Sequence, residues 1–130
     1  MTHQTQIYGF GAHIGIQVDA MEAGEAQLSL VLQDHHRNFF GIVHGGVLLT
    51  LLDQTCGAAL RSTRVDTGGA QGSVTIDLQT TFVAAARGNT LYAIGNCLRS
   101  GRSVAQCCAR IEDADGTLVA TATGTFKLLN

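Results

Sequence analysis

Residues 38–53 read NFFGIVHGGVLLTLLD, and this pattern decides the fold. Gly45 and Gly46 open an apolar run that predicts a helix, and a single carboxylate, Asp53, lies within that run. The first N–H groups of a helix lack intrahelical partners and carry partial positive charge, so they can hold a carbonyl oxygen as negative charge develops on it. A carboxylate in an apolar helix is costly unless it has a partner or a task. Together these features indicate acyl chemistry.

The helix is predicted to run from about residue 45 to about residue 62. Its buried stripe follows the i, i+3, i+4 spacing of one helix face and consists of Val47, Leu48, Leu51, Leu52, Thr55, Ala59 and Leu60. Leu49, Cys56 and Ala58 make the helix apolar beyond that stripe. A helix that is apolar on most sides is covered on most sides, so we expect a sheet to wrap around it.

Alternating apolar and polar residues predict strands on both sides of the helix. Two weaker strands precede it, at residues 14–18 and 25–32, and four follow it, at residues 73–83, 90–99, 102–112 and 117–128. In the first of these four, Val74, Ile76, Leu78 and Phe82 occupy alternating positions. Residues 86–89, 100–102 and 113–116 are predicted hairpin turns. The order β-β-α-β-β-β-β predicts an α+β domain, in which one long antiparallel sheet surrounds a buried helix.

Composition limits the classes of protein to consider. The 130 residues fit one domain, and the net charge of −2 gives no reason to expect nucleic acid as a partner. Only 14% of the residues are charged, which is low for a small soluble monomer. Burial in an oligomer would explain this low fraction, although a ligand groove or many small residues could contribute.

The sequence predicts neither a membrane span nor an N-terminal signal, because it has no apolar run of about 20 residues and its start is polar. The cysteines Cys56, Cys97, Cys107 and Cys108 lack metal-ligand spacing. We interpret them as small buried hydrophobic residues in a reducing, cytoplasmic compartment. His3, His13, His35 and His36 have no partner pattern and are expected on the surface or in loops.

The motif and the order of elements resemble the hotdog fold, specifically the phenylacetate-degradation (PaaI-type) branch of the acyl-CoA thioesterases. The pattern Asn-x-x-Gly-x-x-His-Gly-Gly, with an aspartate nine positions after the histidine, is present as Asn38, Gly41, His44, Gly45, Gly46 and Asp53. Thr75-x-Asp77-Leu78 with Phe82, residues 99–103 and residues 115–120 match further. The proline that commonly follows the phenylalanine of the central strand is missing, because Val83-Ala84-Ala85-Ala86 occupies that segment.

The resemblance implies a role for each matching residue. Asp53 is the catalytic carboxylate, which either attacks the thioester or activates water, and the Gly45 N–H holds the oxyanion. Asn38 could orient the water or Asp53, and His44 could hold the loop through a ring N–H or be purely structural. Thr75 matches a hydroxyl near the reacting water, with Gln71 and Ser73 as alternatives. The substrate-binding positions are Gly46, Phe82, Arg99, Ser100, Gly101, Arg102 and Ser103, of which the last five would contact the pantetheine and phosphates of coenzyme A.

Gly45 and Asp53 are too far apart to act on one thioester within a single chain. Eight residues separate them, which is roughly 12 Å at the helical rise of 1.5 Å per residue. In a two-fold dimer, each helix could present Gly45 to the Asp53 of the other. The resemblance implies the same shared sites, in a tetramer built as a dimer of dimers.

The sequence therefore predicts one hotdog domain over residues 1–130 that hydrolyses acyl-CoA thioesters to free acid and coenzyme A. Aryl and medium-chain acyl groups are both candidate substrates. No metal and no separate cofactor are expected, because coenzyme A enters as part of the substrate. The alternatives are a hotdog hydratase or dehydratase and a non-catalytic acyl-CoA-binding module, which would have no need for Asp53.

Overall fold

The computed structural model describes residues 7–64 and 72–129. The elements are α1 (Gly9–Ile14), β1 (Gln17–Glu22), β2 (Glu25–Val31), a 3-10 helical turn (Asp34–His36), α2 (Gly45–Ser62), β3 (Ser73–Phe82), β4 (Thr90–Ser100), β5 (Val104–Glu112) and β6 (Leu118–Leu128). The six strands form one antiparallel sheet in the order β1-β2-β4-β5-β6-β3. This architecture confirms the predicted α+β class. No helix in these two ranges is long and apolar enough to span a membrane.

Helix α2 begins and ends where the sequence predicts and packs mainly on β2, β4 and β5. Every member of the predicted stripe is buried except Val47, which is half-buried against the core. Cys56 and Ala58 are buried as well, so the sheet covers more than one face of the helix. Leu49 is the exception on this apolar helix, because its side chain is partly exposed.

Three contacts hold α2 in place along its length. At its middle, a Cβ on Gly95 of β4 would lie 2.8 Å from Thr55 Cγ2 and 2.9 Å from the Thr55 carbonyl oxygen. At its end, Ser62 Oγ accepts a hydrogen bond of 2.7 Å from the N–H of Gly24, in the turn between β1 and β2. Before its start, the His44 N–H donates to the carbonyl of His36 at 2.8 Å.

The N-terminal region differs from the prediction. Residues 9–14 form the short helix α1, and the first strand begins only at Gln17. His36 lies in the turn between β2 and α2, which is one of its two predicted placements, but it is not on the surface, because only 1% of it is exposed. Its Nδ1 accepts from the Gln33 N–H at 2.8 Å, and its Nε2 lies 2.6 Å from the Ile14 carbonyl oxygen. The ring therefore ties α1 to the 3-10 turn through backbone partners that a sequence pattern does not reveal.

Strand β3 does not alternate as the sequence predicts. Thr75 pairs with Phe126 and Asp77 pairs with Thr125, so Ile76 is the extra residue of a β-bulge. Because of this bulge, Thr75 and Leu78 face α2 although they are three residues apart. Val74 and Ile76, which were predicted to share a face with Leu78, are exposed.

The connection at residues 86–89 is not the predicted hairpin. It leads from β3 at one edge of the sheet to β4, which lies three strands away in the sheet order. The other two predicted hairpins are confirmed, since β4 pairs with β5 and β5 pairs with β6. Asp113 joins the crossover to the second hairpin, because it accepts from the N–H of Arg87, at 2.9 Å, and from those of Asp115 and Thr117.

The close approach at Gly95 predicts that Gly95→Ala destabilises the protein. The added methyl group would press on the backbone of α2, and we expect the free energy of unfolding to fall by about 1–3 kcal/mol. Gly57→Ala is the matched control, because Gly57 lies inside α2 with only an Arg61 side-chain nitrogen within 4 Å of its Cβ position. This control should stabilise the helix by about 1 kcal/mol. Urea denaturation measures the free energy of unfolding of both variants, and an unchanged midpoint for Gly95→Ala would contradict the prediction.

The hydrogen bonds to Asp113 predict that the free energy of unfolding falls in acid. The N–H of Arg87 first, then those of Thr117 and Asp115, lower the pKa of this carboxyl below its usual value of 3.8. The resulting stabilisation is complete above the unfolded-state pKa and is lost as the pH falls through the lower folded-state pKa. The stability gap between wild type and Asp113→Asn should therefore narrow below about pH 4. Denaturation midpoints from pH 7 to pH 2 test this, with Asp115→Asn as control, and a gap that is constant with pH would refute it.

Candidate active site

Asp53 and Thr75 meet at the edge of the core, where β3 passes α2. Thr75 Oγ1 donates a hydrogen bond of 2.7 Å to Asp53 Oδ1. The pair lies in an open recess of about 300 Å³ that Leu49, Thr50 and Leu78 complete. Thr75 thus contacts Asp53; of its two alternatives, Ser73 forms no hydrogen bond with Asp53, and Gln71 lies outside the described residues.

The Asp53 carboxylate is half-buried and has one oxygen engaged. Within residues 7–64 and 72–129, no other group donates a hydrogen bond to it, so Oδ2 can accept from water or a ligand. The Thr75 hydroxyl donates its proton to Oδ1, so the lone pairs of its oxygen can accept a hydrogen bond from a water that also binds Oδ2. The recess therefore combines an oriented carboxylate with apolar walls.

Cys56 lies nearly one helical turn beyond Asp53 and could be considered as a nucleophile. Burial raises the pKa of its thiol to about 12, and the negative charge of Asp53 adds to this shift. A nucleophilic cysteine acts as the thiolate, so Cys56 is inert at neutral pH. Cys56 and Cys107 are buried and Cys97 and Cys108 are half-buried, and all four are free thiols, which agrees with their interpretation as packing residues.

The first turn of α2 leaves one N–H group available. The N–H groups of Val47 and Leu48 donate to the carbonyl of His44, and the Gly46 N–H donates to His44 Nδ1 at 2.8 Å. Among the residues described, nothing accepts from the Gly45 N–H. A Cβ on Gly45 would lie 3.5 Å from Cζ of Phe82, so the tip of that ring covers the glycine.

His44 and Asn38 support the loop and the helix start rather than the carboxylate of their own chain. His44 caps α2 by accepting at Nδ1, which fits the structural role that was left open beside donation through a ring N–H. Asn38 Oδ1 accepts from the N–H groups of Phe40 and Ile42, at 2.9 and 3.1 Å. No hydrogen bond joins Asn38 to Asp53 in the described part of the chain.

The structure brings the predicted site residues together as two separate pairs. Asp53 and Thr75 form one pair, and Gly45 and Phe82 form the other. The helical rise between Gly45 and Asp53 is roughly 12 Å. A thioester carbonyl whose oxygen sits on the Gly45 N–H is therefore out of reach of Asp53 in the same chain.

The β4–β5 hairpin carries the residues predicted to contact coenzyme A. Arg99, Ser100, Arg102 and Ser103 are exposed and Gly101 is half-buried. Ala105, just after this hairpin, lies in one row with Phe126 and Thr75 across three adjacent strands, which are about 4.8 Å apart. The hairpin base is thus about 10 Å from Thr75. Its cations do not touch the Asp53–Thr75 pair.

Three residues of the recess were not assigned to the site from the sequence. Leu49 and Thr50 precede Asp53 by four and three positions on α2, so helical spacing could have found them. Leu78 faces the recess together with Thr75 only because of the bulge, and no sequence signal marked that bulge. Across the two described ranges, no group of three or more His, Cys, Asp or Glu residues could hold a metal ion.

The chain is similar to known thioesterases and esterases in sequence and to solved structures in fold. A family model described as the Thioesterase superfamily matches residues 40–120. A provisionally named esterase of Halobacterium salinarum is 31% identical over 130 residues, which cover 93% of this chain and 85% of that protein. The structure of a conserved protein from Pseudomonas aeruginosa superposes with a TM-score of 0.90 at 28% identity, covering 99% of this chain and 100% of that chain.

A hypothetical thioesterase from Streptococcus pneumoniae, crystallised with coenzyme A, has the same fold. Its TM-score is 0.80 at 24% identity, with 89% of this chain and 87% of that chain covered. It has also been crystallised with an aspartate, and separately with a threonine, replaced by alanine.

The family match spans more than half of the chain and includes both the start of α2 and the Asp53–Thr75 pair. The sheet order and the central helix are those of the hotdog fold. The chain therefore belongs to the thioesterase superfamily and is a hotdog-fold thioester hydrolase.

Proposed function

We propose that this protein hydrolyses aryl or medium-chain acyl-CoA thioesters to the free acid and coenzyme A. The observation that carries the proposal is the hydrogen bond of 2.7 Å between Thr75 Oγ1 and Asp53 Oδ1 in an apolar recess. The coenzyme A bound to the streptococcal thioesterase supports a CoA ligand. The aspartate and threonine replaced in that protein are the two residue types that meet here.

In the general-base route, Asp53 removes a proton from water held between its free Oδ2 and the Thr75 hydroxyl. The resulting hydroxide adds to the thioester carbonyl carbon, and the carbonyl oxygen becomes an oxyanion that the N–H of Gly45 of the partner subunit stabilises. Collapse of this intermediate breaks the C–S bond. The proton on Asp53 passes to the departing thiolate, which restores the carboxylate.

In the nucleophilic route, an Asp53 oxygen attacks the same carbonyl carbon and displaces the thiolate, leaving a mixed anhydride. Water then cleaves the anhydride, so the acid is released and the carboxylate is regenerated, while the thiolate takes a proton from that water. Both routes need the same groups. Neither requires a metal or a separate cofactor, since coenzyme A arrives with the substrate.

We propose that the active form is a two-fold dimer in which Gly45 of one subunit faces Asp53 of the other. β3 is an edge strand of ten residues, and Val74, Ile76 and Phe82 on it are exposed. A long unpaired edge strand with exposed apolar side chains is a template for pairing with another strand. Pairing two copies at β3 would bury this edge and would bring two such helices and recesses together about one axis.

The β4–β5 hairpin is the proposed contact for the coenzyme. Arg99 and Arg102 are exposed cations, which suit the phosphates of the nucleotide end. The distance of about 10 Å between the hairpin base and Thr75 leaves room for the pantetheine arm. By its motif we assign the protein to the phenylacetate-degradation type of thioesterase, and we propose that two dimers associate as a tetramer.

Replacing the proposed catalytic carboxylate should abolish turnover without unfolding the protein. We expect Asp53→Asn to lower kcat by about 10²–10⁴-fold, the range for loss of a general base. Thr75→Val should lower kcat by about 10- to 100-fold, because the carboxylate loses one charged hydrogen bond. Thiol release from a panel of acyl-CoAs measures both effects.

Matched controls are available on the same sheet. Asp19→Asn changes an exposed carboxylate on β1, and Thr123→Val changes an exposed threonine on β6, and both should retain full activity. A wild type that binds acyl-CoA but releases no thiol would contradict the proposed hydrolysis and would indicate a non-catalytic binding module. An active Asp53→Asn variant would refute the catalytic role of Asp53 but would leave the thioesterase activity itself standing.

Subunit mixing tests the shared site directly. Gly45→Val should block the oxyanion position and Asp53→Ala should remove the carboxylate, so each variant alone should be inactive. In a mixed dimer, one of the two sites would combine an intact Gly45 with an intact Asp53. Refolding the two variants together in equal amounts should restore about a quarter of the wild-type activity. No recovery in confirmed mixed dimers, or full activity of a monomer, would contradict the proposal.

A further inference from the structure

Two adjacent phenylalanines stand out on the surface of this chain. The side chains of Phe39 and Phe40 are 97% and 79% exposed, and Ile42 beside them is also exposed. The two rings pack edge to face, with centroids 5.6 Å apart and planes at 84°. Single exposed apolar residues are common, but a cluster of them on one loop marks a surface that something covers.

The loop that carries these rings is held by its own hydrogen bonds. Asn38 Oδ1 accepts from the N–H groups of Phe40 and Ile42, and the Asn38 N–H donates to the Ile42 carbonyl at 2.7 Å. The Gly41 N–H donates to the Asn38 carbonyl, and Arg37 Nη1 donates to the Gly41 carbonyl at 3.2 Å. These bonds fix the loop backbone from which both rings project.

The loop runs directly into the proposed oxyanion donor. Arg37 and Val43 pair as an isolated β-bridge at its base, and His44 and Gly45 follow at once. Phe82 covers Gly45 from β3. Aromatic side chains therefore stand on both segments that meet at Gly45, with Phe82 on β3 and Phe39 and Phe40 on the loop that precedes the glycine.

We propose that Phe39 and Phe40 form the outer wall of the acyl subsite and select large apolar acyl groups over acetyl. This inference rests on the proposed acyl-CoA hydrolysis. The occupant is the end of the acyl group farthest from the thioester carbon. An acetyl group ends in a single methyl group beside the thioester carbon, whereas a phenyl ring or a chain of several methylenes extends far enough to pack against an outer wall. Because the loop is already ordered, this contact costs little conformational entropy.

The experiment compares Phe39→Ala/Phe40→Ala with wild type on acetyl-CoA, hexanoyl-CoA and phenylacetyl-CoA. The double variant should lower kcat/KM about tenfold for the two larger substrates, since it removes two apolar and aromatic contacts. Activity on acetyl-CoA should stay within about twofold of wild type. Phe10→Ala is the matched control, because Phe10 is a 66% exposed phenylalanine on α1, and it should leave all three substrates unchanged.

Binding separates this inference from the proposed chemistry. Calorimetry with the non-hydrolysable thioether analogue of phenylacetyl-CoA should show weaker binding to the double variant, with coenzyme A itself bound as in wild type. A wild type that hydrolyses no acyl-CoA overturns the proposed function. The calorimetry still shows in that case whether Phe39 and Phe40 contribute to binding of the acyl group. An equal change for all ligands, no change for any, or dissociation of the oligomer in light scattering would overturn the inference.

Discussion

α2 lies so close to β4 that no side chain fits between Gly95 and the backbone of Thr55. This contact sets the height of the helix above the sheet, since any larger residue would have to push the helix away. Asp53 precedes Thr55 by two residues on the same helix. It therefore lies at a fixed position at the edge of the core, where β3 passes. The hydrogen bonds of Ser62 to Gly24 and of His44 to His36 fix the two ends of the helix in the same way.

Asp53 is the acidic residue of an otherwise apolar helix, and the fold accommodates it through one neighbour. The bulge at Ile76 turns Thr75 toward the carboxylate while keeping Leu78 on the same side. One carboxylate oxygen is thereby oriented and the other is left for a ligand. The same negative charge adds to the burial that keeps Cys56 protonated, so the chemistry of this recess belongs to the carboxylate rather than to a thiol.

Much of this could be predicted from residue patterns. The bounds of α2, five of the six strands and two of the three hairpins follow from periodicity and turn residues, because these depend on neighbours close in sequence. The crossover after β3, the helix α1 and the buried His36 could not be predicted. Each of them depends on contacts between distant segments, such as the bond from His36 to the carbonyl of Ile14, 22 residues away.

By itself, the sequence determined the α+β class, the helix with its glycine start and internal carboxylate, and the rise of roughly 12 Å that separates Gly45 from Asp53. These are properties of local geometry, since helical spacing converts residue numbers directly into distance. Only the tertiary structure decided that Thr75 is the partner of Asp53 and that Phe82 covers Gly45. Those pairings depend on strand register and on a single bulge, and one residue more or less in β3 would turn each side chain to the other face.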